Sequence, residues 1–206
     1  ALAIAQDERA DLVIANDPDA DRLAVGARDE HGSLRMLTGN ETGVLLADYL
    51  LSRRRVRSEK DLVLSTIVST PLLRRIADEH GVHCEETLTG LKWIMKRARE
   101  LEHDQGLRFL FGFEEALGFA AGTDVRDKDG IACAALAARM AHEHARRGRT
   151  LIEALHELYR KHGYVDSTQV SLVMTGQSGM TTMRAAMTQL GALPPARIGE
   201  HDVRAV

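Results

Sequence analysis

Along the middle of the chain the spacing of apolar residues switches repeatedly between strand-like runs and the 3.6-residue period of a helix, and this alternation limits the fold more than any other feature. Leu62-Val-Leu-Ser-Thr-Ile-Val68 is a β-branched run that reads as a buried strand. Thr70-Pro71 then offers an N-cap and a proline at the first helical position, opening a helix that Gly81 ends. Val82 to Thr87 reads as the next strand. After Thr89-Gly90, the residues Leu91, Ile94, Met95, Ala98 and Leu101 fall on one side of a helix. Leu107 to Phe111 returns to strand, Gly130 to Arg147 is an alanine-rich helix, and Thr150 with Glu153 has the spacing of a capping box opening another. Strands alternating with helices predict an α/β layer fold.

Upstream, Ala1 to Ala5 reads as the end of an apolar helix. Asp11 to Ala15 is a short strand that stops at the breaker Asn16-Asp17-Pro18, Leu23 to Ala27 is a second, and Asp29-Glu-His-Gly32 turns the chain into a third at Leu34 to Leu37. From Glu41, the residues Val44, Leu45, Ala47, Leu50 and Leu51 share a helical face. Arg53, Arg54, Arg55 and Arg57 after it read as a solvated helix C-terminus matched to its dipole. Downstream, Asp166-Ser-Thr, a strand-like run to Val173 and Gly176-Gln-Ser-Gly179 read as a passage out of the domain, with one more helix over Met180 to Leu190.

A net charge of −3 with scattered basic residues leaves no broad field for nucleic-acid phosphates, so no nucleic-acid partner is expected. No apolar run approaches the roughly 18 residues needed to span a bilayer, no signal peptide opens the chain, and no membrane partner is expected. Cys84 and Cys133 sit in no zinc-binding pattern, which points to a reducing, cytoplasmic setting. A first residue of alanine, inside an apolar helix, is read as a start within a longer protein.

The chemistry is concentrated in Asp17-Pro-Asp19-Ala-Asp21-Arg22. Carboxylates at alternate positions of a tight turn bring hard oxygen donors to one small cation, and Mg²⁺ suits such a set because it keeps octahedral positions for water or phosphate oxygen. Arg22 beside it offers a planar fork for the same phosphate. An EF-hand is excluded, since it would need glycine where Arg22 stands and a carboxylate where Arg28 stands. Two alternatives stay open at this point: a solvated acidic turn, and a haloacid-dehalogenase-like phosphatase with the first aspartate as nucleophile, although Asp21 stands where that motif usually has Thr or Val. Glu114 and Glu115 follow the apolar strand Phe109 to Phe111, at the kind of strand end where α/β folds place ligand groups. Lys128, between Arg126 and the helix start at Gly130, fits anion binding. Thr89 reads first as an N-cap.

Taken together, four segments carry a resemblance. Asn16-Asp-Pro-Asp-Ala-Asp-Arg22 resembles the metal loop of the α-D-phosphohexomutases, the phosphoglucomutase and phosphomannomutase superfamily. Thr89-Gly90-Leu-Lys92 resembles the Thr-Gly-x-Lys segment of that family's third domain, Gly112-Phe-Glu114-Glu115-Ala116-Leu-Gly118 its sugar-binding loop, and Arg126-Asp-Lys128-Asp-Gly130 its Arg-x-Lys-Asp-Gly segment. The resemblance implies a three-layer mixed-sheet domain 3 over 39–165, preceded by the C-terminal part of domain 2 with the metal loop over 1–38 and followed by a linker and the start of domain 4 over 166–206.

The same resemblance implies Mg²⁺ held by Asp17, Asp19 and Asp21, with Arg22 and Lys128 as catalytic positive charges. Thr89, Gly90, Glu114, Glu115 and Arg126 would bind a sugar monophosphate or bisphosphate, and a phosphoserine on another domain of the same polypeptide would exchange its phosphoryl group with the sugar. Ala116 stands where family loops often have serine, and the Glu-Glu-Ala-Leu-Gly-Phe form looks most like the phosphoglucomutase/phosphopentomutase branch. No Ser-His-Asn-Pro-type segment and no arginine-rich Ser-Gly-Thr loop is present, so the chain alone is expected to lack mutase activity. A non-catalytic sugar-phosphate or Mg²⁺-binding module is the remaining competing expectation.

Overall fold

The computed structural model describes residues 1–54, 56, 58–167 and 172–203. At its centre lies a mixed sheet in the order β5-β4-β6-β7. β4 (Asp61–Thr66), β5 (His83–Thr87) and β6 (Arg108–Glu114) run parallel, and β7 (Gly118–Ala121) returns antiparallel along β6. The chain leaves β4 through α3 (Leu72–His80) to reach β5, then through α4 (Leu91–Gln105) to reach β6 on the other side of β4. Because parallel crossovers are right-handed, reversing the direction of travel puts α3 and α4 on opposite faces.

Two cores result. On one face α4 packs Leu91, Ile94, Met95, Ala98 and Leu101 against Leu62, Leu64, Phe109 and Ala120. On the other, α2 (Gly39–Ser52), α3, α5 (Gly130–Ala145) and α6 (Leu151–His162) cover Val63, Phe111, Phe113 and Phe119. Simple alternation would place Phe109 with Phe111 and Phe113. The register shifts between Leu62 and Val63, which pair with Phe109 and Phe111, so Leu110 is the extra residue and Phe109 changes face.

The second core also takes in Leu23, Val25 and Ala27 from a three-stranded antiparallel sheet of β1 (Leu12–Asn16), β2 (Leu23–Arg28) and β3 (Leu34–Met36), preceded by α1 (Leu2–Asp7). Residues 1–166 form one unit by their contacts. Residues 167–206 form another, in which α7 (Gly176–Ala192) precedes a short hairpin of β8 (Arg197–Ile198) and β9 (His201–Asp202). Among the described residues no helix is long and apolar enough to cross a membrane.

Several boundaries differ from the sequence reading. β4 ends at Thr66, and Ile67 and Val68 are exposed rather than strand. Pro71 takes the N-cap position of α3, while Thr70 Oγ1 accepts from Leu72 N at 3.3 Å. Gly90, at φ 119°, caps α4 in place of Thr89, and no side chain caps that helix. Gly176 to Gly179 begins α7 rather than leading up to it. The basic cluster after α2 is not simply solvated: the Arg54 guanidinium is buried against Asp61 and the carbonyl of His80, and Arg53 stacks on Tyr49 and pairs with Glu143. Arg55 and Arg57, and the part of the expected strand over 168–171, lie outside the described residues.

Candidate active site

In an open α/β sheet, ligand groups gather beyond the carboxyl ends of the strands where the strand order reverses. Here that point lies between β4 and β6, and Thr66, Glu114 and Glu115 stand at it. Glu114 is the last residue of β6, pairs with Gly118 of β7 and is 7% exposed. A side chain at Gly118 would meet both Glu114 Oε1 (2.6 Å) and Lys128 Cδ (2.9 Å), so glycine is what lets these two side chains pack over the strand.

The acidic loop is joined to the same turn. Leu23 N donates to Leu117 O at 3.1 Å, and Arg22 forms an isolated antiparallel bridge with Gly118. Within the loop Asn16 Nδ2 donates to Arg22 O (2.6 Å), Arg22 N donates to Asp17 Oδ1 (3.1 Å), and Ala20 takes a positive φ of 59°. Gly130, at the start of α5, comes so near that a Cβ would lie 2.5 Å from Arg22 O and 2.6 Å from Ala20 O. Strand, turn and helix start therefore fix the loop from separate elements.

Asp17, Asp19 and Asp21 each present a carboxylate oxygen within 4.8 Å of the others. Octahedral Mg²⁺ with oxygens at about 2.1 Å spaces neighbouring ligands by about 3 Å and opposite ones by about 4.2 Å, so the three side chains would draw closer to share one ion. The donors fit the ion by type, three hard carboxylate oxygens on one turn. Arg22 Nε lies 3.9 Å from Asp17 Oδ2 and 4.0 Å from Asp21 Oδ1, and Lys128 Nζ lies 3.2 Å from Asp21 Oδ2. The Arg22 amide beside it, the largest influence, holds the Asp17 carboxyl below the usual carboxylate range. Burial pulls the Lys128 ammonium down, yet its bond to Asp21 and the charges of Asp127, Asp21 and Glu114 outweigh that and leave it above the ordinary lysine value.

The structure thus gathers Asp17, Asp19, Asp21, Arg22, Glu114 and Lys128. Glu115 is next to them in sequence, but its carboxylate turns to Thr66 and Ser69. Thr89 and Gly90 lie at the same end of the sheet, just beyond β5, with Thr89 exposed. Arg126 goes elsewhere: Nη1 pairs with Glu102 Oε2 on α4 at 2.7 Å, and Glu102 Oε1 in turn accepts from Phe109 N at the start of β6. Thr66 and Ser69 were missed by the sequence reading. The hydroxyl-rich run Ser65-Thr66…Ser69-Thr70 at a parallel strand end was the available signal.

A mixed sheet between helix layers, with polar groups converging on its topological switch point, defines a three-layer α/β protein. More specifically, residues 38–162 match the model of the phosphoglucomutase/phosphomannomutase alpha/beta/alpha domain III, and the chain belongs to that family. It is 42% identical over 169 residues to the phosphopentomutase of Homo sapiens, covering 79% of this chain and 28% of that protein. Across all 206 residues it is 34% identical to the phosphoglucomutase of Staphylococcus aureus strain USA300, 37% of whose length it covers. The chain thus spans about a third of the length of these relatives. A crystal structure of a phosphoglucomutase/phosphomannomutase family protein from Burkholderia thailandensis shares the fold, with a TM-score of 0.55 and 21% identity over 76% of this chain and 30% of that one.

Proposed function

We propose that the chain is the metal-loop and sugar-recognition part of a phosphosugar mutase, acting with further domains of the same polypeptide to move a phosphoryl group between two hydroxyls of a sugar. The observation that carries this reading is the convergence of the three carboxylates, two cations and the buried Glu114 on one junction. Asp17, Asp19 and Asp21 would hold Mg²⁺, which supplies charge neutralisation to a transferring phosphoryl group when bound. Arg22 and Lys128 bring fixed positive charge to the same place, so the spread negative charge of the transition state meets preorganised partners rather than water. Glu114 accepts sugar hydroxyls, and a carboxylate can do so in either of the two orientations a mutase must bind. Thr89 and Gly90, at the same end of the sheet just beyond β5, would bind the sugar phosphate from that side, whereas Arg126 would have to leave Glu102 to reach a substrate.

The phosphoserine would lie on one of those further domains, and the hydroxyls that Glu114 and its neighbours accept would set whether the sugar is a glucose, mannose or pentose phosphate. Family membership favours a mutase over a haloacid-dehalogenase-like phosphatase. The test is an assay with a sugar 1-phosphate, Mg²⁺ and a trace of sugar bisphosphate. A polypeptide containing the relatives' remaining domains should interconvert the 1- and 6- (or 5-) phosphates without releasing inorganic phosphate, and this chain alone should do neither. Steady release of inorganic phosphate, or isomerisation by this chain alone, would refute the reading.

A further inference from the structure

Adjacent in sequence, Glu114 and Glu115 have different surroundings. Glu115 Oε2 accepts from Thr66 Oγ1 at 3.1 Å and from Ser69 Oγ at 3.2 Å, and the two hydroxyl oxygens are 2.8 Å apart. Two hydroxyl protons serve three contacts, so at any instant either both bind the carboxylate or one hydroxyl passes its bond through the other. An ionised carboxylate, which only accepts, keeps the trio satisfied in each arrangement. From below, the N-terminus of α2 closes on the same residue: a Cβ at Gly39 would lie 2.0 Å from Glu115 O. Beyond it, Leu117 is held at a positive φ of 67° while its carbonyl receives Leu23 N. The turn is therefore held from several sides, and the Arg22–Gly118 bridge ties it to the residue next to Asp21.

We propose that Glu115, Thr66 and Ser69 form a positioning clamp: they fix the turn that carries Glu114 and, through Leu117 and Gly118, the loop that carries Asp17 to Arg22. Glu115 acts on the substrate through these neighbours and does not touch it. The clamp assigns the loop after β4 a part in setting how a sugar phosphate sits, and it rests on the mutase reading of Glu114 given above.

The test is a mutant cycle in the full-length enzyme, read as kcat/KM well below the unfolding temperature. Glu115→Ala alone and Thr66→Val with Ser69→Ala should each lower kcat/KM roughly ten-fold, because displacing a positioned group is costly to the reaction. The three together should lose no more than either, and Glu115→Gln, which still offers an oxygen to both hydroxyls, should stay within about three-fold of the unaltered enzyme. A loss of roughly a hundred-fold in the combined variant, the product of the separate losses, would mean that Glu115 and the two hydroxyls act independently, which overturns the clamp. Normal kcat/KM with a lowered melting temperature would mean a structural tie without influence on the site. If the unaltered enzyme shows no mutase activity, the mutase reading fails. The clamp is still decided in that case by the same cycle read as Mg²⁺ affinity of this chain by calorimetry, where affinity that no variant lowers, or losses that add, would overturn it and one loss common to all the variants would support it.

Discussion

Single side chains near the acidic loop set how the protein should respond to pH and to substitution. The Asp17 carboxyl is held low chiefly by the Arg22 amide, so its contribution to stability is present above the unfolded carboxylate value of about 4 and is lost as pH falls through the lower folded value. His144 and His162 are held low first by burial, and for His144 also by Arg149 and Arg147. A base whose folded value is depressed favours the neutral form in the native state, so stability begins to fall as pH drops below about 6.5. Thermal unfolding across pH 8 to 3 should therefore show two declines, a histidine stage and then a carboxylate stage, and His144→Gln should shrink the first alone. Asp61 is the other residue with a large role. It is fully buried, with Arg54 and Arg108 on its two oxygens, and Arg108 is largely exposed. Stripping one partner from a buried ion pair commonly costs about 3–5 kcal/mol, so Asp61→Ala should lower the denaturation free energy by about 3 kcal/mol in a urea titration, mostly through the stranded Arg54.

At the scale of elements, the contact of α5 with the acidic loop makes a prediction that runs against helix propensity. Alanine for a helical glycine usually gains up to about 1 kcal/mol. At Gly130 the new Cβ would press on two backbone carbonyls of the loop, and overpacking of that kind costs about 1–3 kcal/mol. Gly130→Ala should therefore destabilise the protein and weaken Mg²⁺ binding together, which denaturant titration and calorimetry would show; a more stable variant with normal binding would contradict the packing. Most elements were legible because their signals are local. The capping box of Thr150 and Glu153 forms as read, with bonds of 3.1 and 2.7 Å, and Gly81 closes α3 in the left-handed conformation. β7 was missed because Gly118 to Ala121 is short and follows a loop whose polar residues read as the end of the strand pattern. Phe109 changes face because of a bulge at Leu110, and a bulge leaves no mark in residue type. Asp61 and Arg108 stand 47 positions apart and Thr66 and Glu115 stand 49 apart, pairings that only strand order can supply.

For the molecule as a whole, the order of strands explains why the site lies where it does. Reversal at β4 leaves a crevice beyond the carboxyl ends of β4 and β6, β7 folds back to form the turn after Glu114, and the antiparallel sheet of β1 to β3 delivers the acidic loop to that turn. The sequence showed the loop's three acids and the class of fold, since alternate carboxylates and alternating periodicities are written in short stretches. It did not show that Arg126 and Lys128, two residues apart, serve different places: Arg126 pairs with Glu102, and Lys128 reaches Asp21. Both lie on the return path from β7 to α5, whose course depends on tertiary packing. The most direct measurement is a calorimetric titration of this chain with Mg²⁺ beside Asp17→Asn, Asp19→Asn and Asp21→Asn variants. One ion should bind per chain, with affinity reduced roughly ten-fold or more in every variant. Absence of binding, or binding that survives all three substitutions, would contradict a metal seat at this loop.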